Sequence, residues 1–122
     1  MSEWAAGNAL RLHNAVGRTS LLGMASLIGR ADLLLSVDSG TIHLAAATDT
    51  PKIFGVYLPE FPVAHWAPWS RISLFGHMTY DRAAALPEQG EALSRQLRTF
   101  LASPGGGSAY SLDGPSPHRN MR

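Results

Sequence analysis

Apolar residues recur at helical spacing early in the chain. Leu21, Met24 and Ile28 follow one another at intervals of three and four residues, and Ala25 lies on the same stripe. Such a stripe is typical of a helix that packs on a sheet. The two hydroxyl residues before it can cap this helix, which we expect to end near Gly29.

Two apolar runs predict strands. Residues 31–37, "ADLLLSV", form a short and nearly continuous run, which is typical of a strand buried on both faces of a parallel sheet. Residues 52–57, "KIFGVY", predict another strand. Between these two runs, the alanine-rich segment from Gly40 to about Thr48 predicts a helix that ends at the turn "TDTP".

The other segments complete the outline. Residues 9–17 and 71–75 predict two further short strands. Residues 58–70 carry three prolines and two tryptophans, too irregular for a regular element and too apolar for a free linker, so we expect them to fold against the domain. Leucines at helical spacing predict an amphipathic helix over residues 86–102. Residues 103–122 are rich in Gly, Ser and Pro and predict a disordered tail.

Strands and helices therefore alternate, with connections of only a few residues. This order is typical of an α/β fold in which helices flank a parallel sheet. At 122 residues, of which 45% are hydrophobic, the chain is long enough for one modest core. We predict a single domain over residues 1–102.

Composition excludes several classes of function. A formal net charge of +1 provides no broad basic surface for nucleic acid, so a bound anion must be held locally. The chain has no cysteine, which excludes disulfide scaffolds and thiolate zinc sites. No acids and histidines stand at metal-ligand spacing, and no metal site is predicted. The sequence shows no signal peptide and no apolar run of the roughly 20 residues that span a bilayer, so a cytoplasmic location is expected.

The join between residues 31–37 and the following helix carries the candidate chemistry. In open parallel sheets, ligands bind beyond the carboxyl ends of the strands. With Ser39 as the N-cap, the amides of Gly40, Thr41 and Ile42 are predicted to be free donors at the positive end of the helix dipole. The join therefore predicts a phosphate-binding turn.

Two further residues extend this prediction. His43 lies one turn into the helix on the same face and can add a hydrogen bond or a charge to a diphosphate. Asp38 repels phosphate but suits sugar hydroxyls. The alternative is an ordinary helix cap, in which the acid and serine accept hydrogen bonds from amides and the glycine eases the turn.

Residues 17–51 resemble the central part of the C-terminal domain of the family 9 glycosyltransferases, the ADP-heptose:lipopolysaccharide heptosyltransferases and their relatives. A G-x-T-S-L helix, an R-A-D strand and a D-S-G-x-x-H-L-A-A-A helix follow in that order in the family and in this chain. "WAPW", residues 66–69, is similar to a Trp/Pro stretch that often follows. The resemblance implies a Rossmann-like sheet, part of the C-terminal, donor-binding half of a GT-B architecture.

The resemblance also implies roles for single residues. The matching motif places Ser39, Gly40, Thr41 and His43 along the diphosphate of a nucleotide-sugar donor, and Asp38 at hydroxyls of the transferred sugar.

A second matching segment lies earlier in the chain. Arg18, Thr19 and Ser20 match a turn that lies near the nucleoside in the family. An ordinary helix cap is an equally good interpretation of Ser20.

The chain also departs from the family. Asp49-Thr50-Pro51 stands where the family often has Gly-Thr-Pro, and the usual Phe-Gly-Pro is replaced near residues 56–59, which leaves the choice of sugar open. The N-terminal acceptor domain, with a carboxylate that resembles a general base, has no counterpart in this sequence. The same holds for the early strand and the Lys-bearing segment of the C-terminal domain. We therefore expect part of such an enzyme, with no assignable catalytic residue and no activity alone.

The expected function is to bind the diphosphate of a nucleotide-sugar donor, with ADP-sugars favoured, for inverting transfer to a hydroxyl of a glycan or the lipopolysaccharide core. No separate cofactor is needed, and a further domain or partner chain would bring the acceptor. Peripheral association with the inner face of the membrane fits a lipid-linked acceptor. The alternatives are a non-catalytic nucleotide-binding remnant and a nucleotide-sugar epimerase of the same architecture. A sheet that lacks its first strands is also expected to expose an apolar edge, which makes the isolated chain marginally stable or self-associating.

Overall fold

A computed structural model describes residues 11–104 of the chain. Its three strands form one parallel sheet of order β1-β2-β3. Val37 lies opposite Val56, which lies opposite Met78, so the carboxyl ends of the strands stand side by side at one edge of the sheet. The elements in chain order are α1 (Leu21–Gly29), β1 (Leu33–Val37), α2 (Gly40–Ala47), β2 (Lys52–Tyr57), α3 (Val63–Trp66), β3 (Leu74–Thr79) and α4 (Leu86–Ala102).

The α/β prediction is confirmed, since a parallel sheet with flanking helices is a Rossmann-like arrangement. The predicted helices α1, α2 and α4 and the predicted strands β1 and β2 are all present, with bounds within two residues of those expected. Among the described residues, no helix is long and apolar enough to cross a membrane.

The helices cover both faces of the sheet. Because side chains alternate along a strand, Ile53 and Tyr57 of β2 point to one face and Phe54 to the other. Ile53 and Tyr57 pack in a cluster with Ile42 of α2. Phe54 packs against Phe100 of α4, with 5.4 Å between the ring centroids. The sheet is therefore the middle layer between α1 and α2 on one side and α4 on the other.

A buried hydroxyl joins α1 to the turn after α2. Thr50 is fully buried, and its hydroxyl donates a hydrogen bond of 2.9 Å to the carbonyl of Ile28, in the last turn of α1. Its amide donates to the carbonyl of Ala45 in α2, at 3.0 Å. These two bonds hold the helices together at the end opposite to the N-terminus of α2.

The strand expected over residues 9–17 is not formed in residues 11–17, and residues 9 and 10 lie outside the described part. The amide of Val16 donates to the side-chain oxygen of Asn14 at 3.0 Å, and Gly17 has a φ of 68°. An Asx turn followed by a left-handed residue bends the chain away from an extended conformation. The expectation of a strand here was therefore wrong.

Strand β3 begins at Leu74 instead of residue 71 and continues to Thr79 instead of residue 75. The hydroxyl of Ser70 accepts hydrogen bonds from the amides of Ile72 and Ser73, at 3.1 and 2.9 Å. This turn delays the start of the strand, and the pairing of Tyr57 with Thr79 extends its end.

Residues 58–70 fold against the domain, as expected. Val63 and Ala67 pack on the cluster beneath α1 and α2, and the hydroxyl of Tyr57 donates to the carbonyl of Trp66 at 3.4 Å. The segment also contains the one-turn helix α3, which its pattern did not predict. Of the predicted tail, residues 105–122 lie outside the described part of the chain.

The expectation that β1 is buried on both faces was wrong. Leu35 and Val37 are 44% and 64% exposed. They lie on the α4 side of the sheet, where α4 packs against β3 and leaves the β1 edge uncovered. The chain therefore has the expected exposed apolar edge, and the self-association expected from that edge stays a prediction.

Candidate functional site

The turn between β1 and α2 lies at the carboxyl edge of the sheet and consists of two residues. The amide of Asp38 donates to the carbonyl of Val56 at 3.0 Å, so the chain is still paired with β2 at the first of them. Ser39 is extended, with φ of −160° and ψ of 170°, and the helix begins at Gly40. The position is the one in which parallel sheets bind ligands.

Three hydroxyls cluster at this turn. Thr41 Oγ1 lies 2.7 Å from Ser39 Oγ and 2.7 Å from Ser36 Oγ, and the two serine oxygens are 3.4 Å apart. Ser39 makes no side-chain cap bond to the helix, so the interpretation of this serine as an ordinary cap was wrong. Ser36 was missed by the sequence reasoning; its only signal there is that it is the one polar residue of "LLLSV".

The amides of the first turn of α2 are partly free. The amide of Ile42 donates to the carbonyl of Ser39 at 3.1 Å, so the expectation of three free amides was wrong for this residue. The amides of Gly40 and Thr41 make no hydrogen bond to another residue in the described part of the chain. A Cβ at Gly40 would meet nothing within 4 Å, so the approach to these amides is open.

A cavity of about 510 Å³ lies in front of these amides. Ser39, Gly40, Thr41 and His43 all line it, so the structure brings together four of the residues singled out by the sequence. The opposite side is apolar and comes from both helices. Its residues are Leu21 and Met24 of α1 and Leu44 and Ala47 of α2.

This apolar wall was not predicted. Leu21 and Met24 belong to the stripe that indicated α1, and the sequence alone gives no sign that part of the stripe faces α2 across a cavity. Leu21 is 71% exposed although it is the first residue of the helix. The cavity therefore combines polar groups of a helix N-terminus with an apolar surface.

Asp38 is half-buried beside the cavity and is not one of the residues that line it. Its carboxylate forms no ion pair or hydrogen bond with another described residue. The expected position at the rim of the turn is therefore found, whereas its expected role stays a prediction.

The three residues that precede α1 lie apart from the cavity lining. Ser20 Oγ accepts a hydrogen bond of 3.1 Å from the amide of Gly23, which makes Ser20 the N-cap of α1. This is the alternative that the sequence left open for Ser20. Arg18 and Thr19 are exposed. Within residues 11–104, no three His, Asp or Glu side chains are grouped so that they could hold a metal ion.

Comparisons with known proteins give one match. The sequence model of glycosyltransferase family 9 (heptosyltransferase) matches residues 2–96, which is more than half of the chain and includes the whole turn between β1 and α2. A search of curated proteins and a search of solved structures each found no match. With its Rossmann-like sheet, the chain belongs to glycosyltransferase family 9, the heptosyltransferase family.

Proposed function

We propose that this chain binds the diphosphate of a nucleotide-sugar at the N-terminus of α2. The observation that supports this most strongly is the set of donors that face one cavity. The amides of Gly40 and Thr41 lack a partner among the described residues, and His43 lines the same space. Two unpaired amides at the positive end of a helix dipole favour an anion.

The same arrangement suits the departure of a nucleoside diphosphate. In sugar transfer, negative charge grows on the diphosphate as the bond to the anomeric carbon breaks. Donors that are already in place stabilise that charge without reorganisation. The first turn of α2 would supply this half of catalysis. The general base that deprotonates the acceptor is not assigned to any residue of this chain.

The two sides of the cavity suggest how a donor would be oriented. The apolar wall with Leu21 and Met24 suits the nucleoside, because bases and ribose bury apolar surface. Asp38, at the rim of the turn, suits hydroxyls of the sugar. In this orientation Arg18 and Thr19 lie at the nucleoside side, just before α1.

The finer assignments follow from family membership. We propose an ADP-sugar as donor and a hydroxyl of a glycan or of the lipopolysaccharide core as acceptor. The chain would form part of the C-terminal half of a GT-B enzyme, acting in the cytoplasm or at the inner face of the membrane. A further domain or a partner chain would carry the acceptor site.

Calorimetric titration of the purified chain with ADP, UDP and GDP tests this proposal. One diphosphate, ADP by preference, should bind. His43→Ala should weaken that binding about three- to tenfold, the range for loss of one hydrogen bond to a charged group. His65→Ala is the matched control, because His65 is exposed and lies outside the cavity, and it should leave the affinity unchanged.

Two outcomes would contradict the proposal. Circular dichroism may show a folded chain that binds none of the three diphosphates, in which case the turn holds no nucleotide. Equal losses from His43→Ala and His65→Ala would place the binding elsewhere. Binding without sugar transfer, after an acceptor domain is supplied, would support the non-catalytic alternative.

A further inference from the structure

The loops that follow β2 and β3 lie beside the turn after β1. Asp38 pairs with Val56, and the amide of Tyr80 donates to the carbonyl of Tyr57 at 2.7 Å. The loop of residues 58–62, called here the β2 loop, is therefore the direct neighbour of Asp38. The loop of residues 80–85, called the β3 loop, lies on the far side of the β2 loop. Adjacent strands are about 4.8 Å apart, so the three connections form a row along one edge of the sheet.

The β3 loop is firmly attached to α4. Gln89 is buried, with 8% of its surface exposed. Its side-chain nitrogen donates to the carbonyl of Asp81, and its side-chain oxygen accepts from the amide of Asp81 at 3.4 Å. The carboxylate of Asp81 accepts from the amide of Ala83 at 2.9 Å. Backbone and side chain of one residue are thus both held, so the β3 loop has a defined position.

One ion pair connects the β3 loop to the β2 loop. Arg82 Nη2 lies 2.9 Å from Glu60 Oε1, and it is the only ion pair among residues 11–104. The hydrogen bond from Arg82 lowers the pKa of the Glu60 carboxyl below its ordinary value, so the glutamate remains charged at neutral pH. Both side chains are more than half exposed. Exposed pairs contribute little to stability, so the effect of this pair has to be sought in where it holds the loop.

The β2 loop depends on this pair for its position. Pro59 and Pro62 stiffen it and remove two amide donors. Apart from the turn bond from the amide of Phe61 to the carbonyl of Leu58, at 3.1 Å, Glu60 provides its side-chain contact to the rest of the edge. A stiff loop with one lateral anchor moves as a unit when the anchor is lost.

We propose that Arg82 is a positioning residue which, through Glu60, holds the β2 loop beside Asp38 in the place that admits the sugar of the donor. The inference rests on the proposed function, since the sugar can lie there only if the diphosphate lies at the N-terminus of α2. Arg82 acts on the sugar end and leaves the diphosphate contacts unchanged, because the β2 loop is not part of the cavity lining.

Titrations with ADP and with ADP-heptose separate the two ends of the donor. For the wild-type chain, the ratio of the two affinities measures what the sugar contributes. Arg82→Glu places two acids together, pushes the β2 loop away, and should reduce this ratio about three- to tenfold, while ADP affinity stays within twofold. The swapped pair, Glu60→Arg with Arg82→Glu, should restore most of the ratio. Arg98→Glu on α4 is the control for the change in net charge, because Arg98 is exposed and unpaired among the described residues.

The outcomes distinguish this inference from the proposed function. If the wild-type chain binds ADP but Arg82→Glu leaves the ratio unchanged, the inference is wrong and the proposed function stands. The inference also fails if ADP affinity falls as much as ADP-heptose affinity, or if the swapped pair does not recover the ratio. If the wild-type chain binds neither compound, both proposals fall.

Discussion

The N-termini of α1 and α2 begin alike and end up chemically different. Each helix follows a serine with an extended backbone, Ser20 before α1 and Ser39 before α2. Ser20 turns its hydroxyl onto the amide of Gly23 and closes its helix. Ser39 turns its hydroxyl toward Thr41, so the first two amides of α2 have no partner among the described residues.

The difference comes from the neighbours of each serine. Ser39 has Ser36 of the adjacent strand and Thr41 of its own helix within hydrogen-bond distance, whereas the residues that lie against Ser20 offer its hydroxyl only an amide. The start of α4 is closed in a third way, because Glu88 accepts a hydrogen bond from the amide of Ala85 at 3.2 Å. Of these three helices, α2 is the one whose N-terminus is left open to a ligand.

Gly40→Asp should have the largest effect, because it closes the open N-terminus of α2 with a permanent anion. The new carboxylate would occupy the amides and repel phosphate, and ADP affinity should fall at least about 100-fold. Stability should be unchanged or higher by about 0.5 kcal/mol, since a Cβ fits there and an acid favours the first turn. Calorimetry and urea unfolding measure the two effects.

The control places the same charge on the closed helix. Leu22 is the second residue of α1, is 81% exposed and does not line the cavity. Leu22→Asp should leave ADP affinity within about twofold, the limit expected for a screened charge outside the site. A loss as large as that of Gly40→Asp would remove the distinction between the two N-termini as far as binding is concerned.

Removing each serine hydroxyl should affect stability unequally. Ser20→Ala deprives the amide of Gly23 of its acceptor and should lower the free energy of unfolding by about 1 kcal/mol. Ser39→Ala leaves no amide newly unpaired, and Thr41 keeps its contact with Ser36, so the loss should be less than about 0.5 kcal/mol. Urea unfolding of both variants gives the comparison, and equal losses would show that Ser39 is a cap after all.

The smallest effect is expected at α4. Glu88→Gln keeps an acceptor for the amide of Ala85 but removes the charge from the helix N-terminus, which should cost about 0.3–0.5 kcal/mol. Because the site is exposed, the difference from the wild-type chain should shrink in 1 M salt. ADP affinity should not change. A difference that is independent of salt would mean that the charge of Glu88 plays no part in closing this helix.

Much of the fold is readable from periodicity. The stripe that includes Leu21 and Ile28, and the run "KIFGVY", predict their elements because their apolar residues alone satisfy one period. β3 was misplaced because a side chain decides its start: the hydroxyl of Ser70 holds the chain in a turn up to Ser73. Such a contact leaves no trace in hydrophobic spacing.

The candidate site was predictable along the chain and unpredictable across it. Ser39, Gly40, Thr41 and His43 stand within five residues, so local spacing and the family motif bring them together. The apolar wall from α1 and the hydroxyl of Ser36 reach the site only through the packing of α1 and β1 on α2. Exposure of β1 likewise depends on which strand ends the sheet, which composition does not encode.

The bond from the buried hydroxyl of Thr50 to the carbonyl of Ile28 has a dynamic consequence. Because it joins the end of α1 to the turn after α2, the two helices cannot fray independently at that end, and their opening is one local unfolding event. A ligand seated at the first turn of α2 would therefore slow amide exchange in the last turn of α1, at the opposite end of the helix pair. Exchange rates there would register occupancy of a site that they do not touch.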